Sequence, residues 1–410
     1  MNQNIANSKK AIKKIIIVGG GFAGMWAALT AAHEVAHAKD KVSITLISRD
    51  AYLTLRPRLY EKNPETLRTP LQPVFDPVDV SFIEGTANQI NTANQSITVT
   101  RPGGDMISLS YDRLILASGS ELRELPIPGI TQFTWNIDTY DAAMKLDRHL
   151  QDVTRTPDQL GHNTFVILGA GFTGIELATE MRTRIEEHSD ANTSSNARVI
   201  LVSRGDVVGH TLGANPRPLI EKALQTANIE TRLGVTVKRV DLERVSLSSG
   251  ERIDTRTVIV TLGLRASPLA EELSVERDEM GRLPTDEMLC VKEIPSVYAT
   301  GDIARAYVDD ENLALMSCQH AMVMGKFAGY NAARDLLGLS LRQYRQPEYL
   351  TCLDLGVSGA VFTSGWDRQV QKQGEEAKQI KQMINGQWIY PPKGDRDAIL
   401  AAAHIDARPG

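Results

Sequence analysis

The chain has 410 residues, which at roughly 150 residues per domain points to two or three domains. Hydrophobic residues make up 42% and charged residues 23%, so whole-chain disorder is excluded. A net charge of −5 argues against a global nucleic-acid-binding surface, and three scattered cysteines exclude a disulfide framework.

The N-terminus carries a basic stretch, Lys9-Lys10-Ala11-Ile12-Lys13-Lys14, with no apolar run and small-residue cleavage site after it. It therefore does not read as a signal peptide. No uncharged apolar run reaches membrane-spanning length, so no transmembrane segment is expected. The expected location is cytoplasmic, with peripheral attachment to the inner face of a membrane as the alternative.

A repeated unit then organises the chain. Ile15-Ile16-Ile17-Val18 reads as a buried parallel strand. It runs into Gly19-Gly20-Gly21-Phe22-Ala23-Gly24, a helix predicted over Met25 to Ala38 and a strand over Val42 to Ile47. About 150 residues later the pattern returns. The strand Thr164 to Leu168 enters Gly169-Ala170-Gly171-Phe172-Thr173-Gly174, a helix over Ile175 to Glu187 follows, and Arg198 to Val202 is the next strand. The polar segment from His188 to Ala197 reads as a surface loop.

A lone GxGxxG is weak, but strand–GxGxxG–helix–strand is a dinucleotide-binding pattern, and here it occurs twice. The first glycine allows the turn, the second lets backbone approach a pyrophosphate, and the third lets helix meet strand. The helix N-terminus offers free N–H groups to the phosphates. Two dinucleotides imply electron transfer between a held flavin and a visiting nicotinamide. Ordinary tight turns are the competing reading.

Three more segments fit this frame. Tyr111 to Ser120 is a buried strand ending in a small-residue turn. Val258 to Gly263 precedes Leu264-Arg265-Ala266-Ser267-Pro268, and Ser296 to Ala299 leads into Thr300-Gly301-Asp302. With these motifs the chain, from Ile15 to about Ala333, resembles the flavoproteins with two dinucleotide-binding domains. It is most similar to the type II NADH dehydrogenase (NADH:quinone oxidoreductase) branch.

The resemblance implies an α/β fold with two Rossmann-like domains, for FAD and NAD(P)H, and a small C-terminal α+β domain. The FAD domain would comprise 11–126 and 286–338, with the NAD(P)H domain at 127–285 between them and a cap or interface domain at 339–410. Gly19, Gly21 and Gly24 would face the FAD pyrophosphate. Asp302 would hold its ribityl and phosphate region, Gly119 would lie against it, and Arg56-Pro57 would approach the flavin ring. Ser48-Arg49 stands where an acid usually binds the adenine ribose, with Asp50 as a substitute. Gly169, Gly171 and Gly174 would cradle the nicotinamide dinucleotide, with Gly263 nearby. Ser203-Arg204 lacks the acid that repels a 2′-phosphate, which leans toward NADPH over NADH. Glu176 would sit where nicotinamide meets flavin, unless it merely complements the helix dipole.

The acceptor is less well defined. Neither CxxxxC nor CxxC occurs, so disulfide-reductase chemistry of these kinds is not expected. Cys318 and Cys352 read as buried small hydrophobes, with sulfide oxidation a remote alternative. Ser317-Cys318-Gln319-His320-Ala321 resembles the start of the helix beside the quinone site. Gln319 matches the motif, and His320 departs from it and would either donate a proton or cap the helix. No metal site is expected. The expected activity is hydride transfer from NAD(P)H to FAD, then two electrons to an acceptor, with a quinone favoured. Reduction of a ferredoxin-like carrier, a biosynthetic oxidase or hydroxylase, and a non-catalytic redox sensor are the alternatives.

In the C-terminal region, Leu350 to Val361 alternates like a strand, and Lys378 to Tyr390 carries helical spacing before Pro391-Pro392. Packing on the domain or a second copy in a homodimer is expected there, with weak membrane contact as the alternative.

Overall fold

The computed structural model describes residues 12–154, 159–188 and 196–408. Lys9 to Ala11 of the basic stretch and most of the loop read between His188 and Ala197 lie outside the described residues.

Two five-stranded parallel sheets dominate. The first has the order Val297–Ala299, Arg113–Leu116, Lys13–Val18, Val42–Ser48, Val80–Glu84. The second has the order Trp135–Asn136, Thr257–Val260, Thr164–Leu168, Arg198–Val202, Ile229–Arg232. In each, the strand that leads into a glycine motif is central, and Ile15 to Val18 and Thr164 to Leu168 are buried throughout. Strands covered on both faces read as unbroken apolar runs, which is why both were visible in the sequence. An antiparallel ribbon, Ser120–Leu122 with Leu264–Ala266, joins the two sheet domains.

The helix after the first motif spans Phe22–Val35, and the one after the second spans Phe172–His188. Both begin three residues earlier than expected, because the third glycine lies inside the first turn. Phe22 to Ala32 are all buried. A helix apolar all round must be covered all round. The sheet covers one side and the long helix Cys318–Leu337 another, with the short helix Arg396–Ala403 also packed on it. The two long helices approach at backbone contact. A Cβ on Gly325 would lie 2.3 Å from the Ala23 carbonyl oxygen, and one on Gly329 would lie 2.2 Å from that of Ala27.

The C-terminal region is a three-stranded antiparallel sheet, Leu350–Asp354, Ala360–Ser364 and Gln369–Gln373, with the helix Gly374–Met383 against it. The stretch expected as one strand over Leu350 to Val361 is two strands, because Gly356 and Gly359 turn the chain with φ of +59° and +86°. A π-helical segment, Ile384–Trp388, replaces the continuation of the helix. The helix Arg396–Ala403 was not anticipated. The Lys326 ammonium caps its end, donating to the carbonyls of Ala402, His404 and Ala407 at 2.7, 3.3 and 2.7 Å. The architecture is α/β, with two Rossmann-like units and a smaller α+β unit. Among the described residues, no helix is long and apolar enough to cross a membrane.

Gly329→Val should lower unfolding stability by about 2 kcal/mol or more, since backbone rather than a movable side chain opposes the new atoms. Thermal unfolding within a degree or so of the parent would contradict this packing.

Candidate active site

Residues of all three units line one cleft of about 2030 Å3, but Gly24, Gly169, Gly171, Gly174, Ser203, Arg204, Gly263 and His320 are not among them. Each glycine motif meets the sheet in the same way. Gly19 and Gly169 both have φ +118°. A Cβ on Gly24 would lie 1.8 Å from the Gly19 carbonyl oxygen, and one on Gly174 would lie 1.8 Å from that of Gly169. The middle glycines differ in kind, because a Cβ on Gly21 or Gly171 would meet nothing within 4 Å. The first and third glycines thus serve the fold, while the middle one leaves free space above a helix N-terminus. Gly21 caps its helix with no side-chain hydrogen bond, so the first-turn N–H groups have no side-chain acceptor there. An extended pyrophosphate fits both cradles.

The first cradle continues into a polar floor. Gly119, with φ +72° and open space at its Cβ, lines the cleft. Asp302 accepts a hydrogen bond from the Ser120 hydroxyl at 2.6 Å, and burial holds its carboxyl above the usual range. Arg56 donates to Ser120 Oγ at 2.9 Å, pairs with Asp138 and lies 3.7 Å from Asp302. Pro57, Ser48, Arg49 and Asp50 line the same cleft. Asp50 is turned to its own loop, accepting the Tyr52 N–H at 3.1 Å. Ser118 Oγ, on the cleft, and Thr300 Oγ1 are buried without a hydrogen-bond partner among the described residues. Open glycines, orphaned hydroxyls and a buried acid form a donor and acceptor set that suits FAD.

In the second unit, Phe172, Thr173 and Glu176 reach the cleft. Ser203 Oγ accepts the Gly205 N–H at 3.1 Å, and Arg204 beside it is exposed at the end of its strand. Gly263 has φ +58°, its carbonyl accepts the Arg123 N–H at 3.3 Å, and the following Leu264 lines the cleft.

Glu176 is buried and held by the C-terminal unit. Its carboxylate accepts from Lys381 Nζ at 2.7 Å and from the Asp354 N–H at 3.0 Å. Burial pushes its carboxyl up to about 7, against the pull of the Lys381 ammonium. Lys378 holds both Asp354 oxygens at 2.7 Å. Lys381 and Asp354 were missed from the sequence. Lys381 stands 205 residues from Glu176, and no local pattern marks that distance.

Gln319 lies on the cleft in the first turn of its helix, and its carbonyl accepts from Gln346 Nε2 at 3.4 Å. His320 does not fit the role of proton donor. Its side chain is wholly buried, Nδ1 meets the Ser317 hydroxyl at 2.9 Å, and burial lowers its pKa to about 4. It is a neutral core ring at the helix start. Cys318 and Cys352 reach the cleft unbridged, and burial pushes both thiols up to about 11, which opposes thiolate chemistry. Among the described residues, no group of three or more His, Cys, Asp or Glu could hold a metal ion.

The first glycine cradle lines the cleft at Gly19 to Gly21, and the second unit reaches it through Phe172, Thr173 and Glu176 at the start of its helix; two such cradles define the class of nicotinamide–flavin oxidoreductases. The sequence pattern of the pyridine nucleotide-disulphide oxidoreductase family matches residues 13–325, and the chain belongs to that family. An NADH dehydrogenase-like protein of Mycobacterium tuberculosis is 42% identical over 97% of this chain and 99% of its own. The demethylphylloquinone reductase NdbB of Synechocystis is 24% identical, over 85% of this chain and 86% of its own. Among solved structures, NDH2 from Plasmodium falciparum in complex with NADH superposes with a TM-score of 0.79. That match has 15% identity and covers 97% of this chain and 99% of the other.

Glu180 gives a test of this charged seam. Burial first, and the Asp354 charge second, push its carboxyl up to about 7 from the ordinary 4.5. Folded Glu180 therefore holds its proton more tightly than unfolded Glu180. Its contribution to stability is complete below about pH 4.5 and is lost as pH rises through about 7. Glu180→Gln should gain stability over the parent at pH 8 relative to pH 5, read from urea midpoints. An equal difference at both pH values would contradict this.

Proposed function

We propose that the protein is an FAD-dependent NADH dehydrogenase that delivers its electrons to a quinone. FAD, when bound, would take hydride from NAD(P)H and return two electrons to the acceptor. The observation that carries this reading is the pair of matched glycine cradles, each with one open glycine, the first on the cleft and the second reaching it through Phe172, Thr173 and Glu176 at its helix start.

This chain's residues supply position and exclusion of water. The helix N-termini at Phe22 and Phe172 would hold the two pyrophosphates. Asp302, Ser120 and Arg56 would fix the chain between flavin ring and phosphate. Arg56 ties that floor to Asp138, next to the strand Trp135–Asn136 of the second sheet, so the two units are clamped where the rings would meet. Glu176, locked by Lys381, would set the charge at that junction without swinging away. Positioning of this kind lowers the entropic part of the barrier. Relatives named as quinone reductases, together with Gln319 at the helix start on the cleft, favour a quinone as acceptor. Ser203-Arg204 places no carboxylate against a 2′-phosphate, so NADPH is a second donor.

The open glycines separate binding from folding. Gly21→Val should give a folded protein that loses its yellow flavin, whereas Gly171→Val should keep the flavin but lose anaerobic bleaching by NADH. Parent protein should bleach with NADH and recover colour on addition of a soluble quinone. Flavin retained at parental occupancy in Gly21→Val, or parental bleaching in Gly171→Val, would contradict the assignment.

A further inference from the structure

One buried charge on the cleft wall, Arg368, has no ion-pair partner among the described residues. Arg368 closes the turn between the last two strands of the C-terminal sheet, its N–H donating to the Gly365 carbonyl at 3.1 Å. It is 8% exposed, yet it lines the cleft. Its guanidinium lies 5.0 Å from the centre of the Tyr349 ring. That ring, also on the cleft, stacks on Trp366 at 4.6 Å and 26°. Arg368 Nη1 is buried with no hydrogen-bond partner among the described residues.

No carboxylate of the cleft or of this turn forms an ion pair with Arg368 among the described residues. Asp367 accepts from Gln369 Nε2 at 2.7 Å, Asp354 is held by Lys378, and Glu176 by Lys381. Glu348 is exposed. A guanidinium keeps its charge at every working pH and presents a planar fork of donors. Burial without a counter-ion is costly, and an aromatic face offsets it only in part. A neutral carbonyl would satisfy one N–H, whereas an anionic oxygen would also neutralise the charge through a charge-assisted bond. The Tyr349 and Phe362 side chains on the same cleft provide a surface for a flat ring. Gln319 and Gln346 add neutral amides.

We propose that Arg368 is the specificity residue for the electron acceptor, and that this acceptor is an anionic quinone, with an ionised hydroxyl or carboxylate on its ring. The proposal rests on the quinone-reductase reading above. Arg368 recognises the ionised substituent, while the ring lies along Tyr349.

The test uses the full chain loaded with FAD and two probes with the same ring system. 2-Hydroxy-1,4-naphthoquinone is ionised at pH 7.5, and 1,4-naphthoquinone is neutral. Each is titrated into the oxidised protein, and binding is followed by perturbation of the flavin spectrum. The parent should bind the anion roughly tenfold tighter than the neutral ring, as expected for a charge-assisted contact. Arg368→Gln should remove that preference while leaving the rate of anaerobic bleaching by NADH unchanged. Arg368→Lys, which keeps the charge but not the fork, should retain part of the preference and serves if the Gln variant does not fold.

Equal affinities in the parent, or an undiminished preference in Arg368→Gln, would overturn the proposal. Slower bleaching by NADH in Arg368→Gln with unchanged quinone affinities would place Arg368 on the donor side and also overturn it. The quinone reading fails differently: bleached parent protein would then recover its colour with neither ring. Recovery with both rings at equal KM would leave the quinone reading standing and sink the role of Arg368.

Discussion

A helix can offer its N-terminus to a phosphate only if it starts against the strand that precedes it. In this chain that seat is made by the carbonyl oxygen of Gly19 lying where a Cβ on Gly24 would be, and again by Gly169 and Gly174. Any side chain at the third position would lift the helix away and carry the cradle with it. Both domains obey the same constraint, and both leave open space at their middle glycine. The close passage of the first helix beneath Gly325 and Gly329 extends the same economy of space through the core.

The second constraint is electrostatic. The Glu176–Lys381 pair lies buried between the nicotinamide-type unit and the C-terminal unit, with Asp354 and Lys378 beside it. Such a pair contributes little net stability against its desolvation, but separating the partners would strand a buried charge. Its effect is to fix the C-terminal sheet over the cleft. That unit then presents Cys352, Tyr349 and Arg368 to the same cleft as the first glycine cradle. The elements of the reaction are thus assembled from three parts of the chain by one shared wall.

What the sequence made legible follows from distance along the chain. Both cradles are local: strand, glycines and helix are contiguous, and their periodicity reports burial directly. The positions of Asp302 and Gln319 on the cleft were readable through short motifs that keep their local shape. Lys381, Asp354 and Arg368 were not, because their meaning lies in pairing across hundreds of residues. His320 had two readings from the sequence, a proton donor or a ring capping the helix, and the fold favours the second, burying the ring with Ser317 at the cap and Tyr349 alongside. The end of the C-terminal region escaped for a physical reason as well. The helix Arg396–Ala403 is short and gains its hold from Lys326 and from the surface of the first helix, neither of which its own residues reveal.

The central claim is geometric: two dinucleotides lie in matched cradles, and their rings converge at the Glu176 end of one cleft. A crystal structure of the FAD-loaded protein with NAD+ tests it most directly. The account predicts one pyrophosphate against Gly21 and the other against Gly171, with the nicotinamide ring stacked on the flavin between Phe172 and Glu176. A nicotinamide bound away from the Gly171 cradle, or an FAD pyrophosphate distant from Gly21, would contradict it.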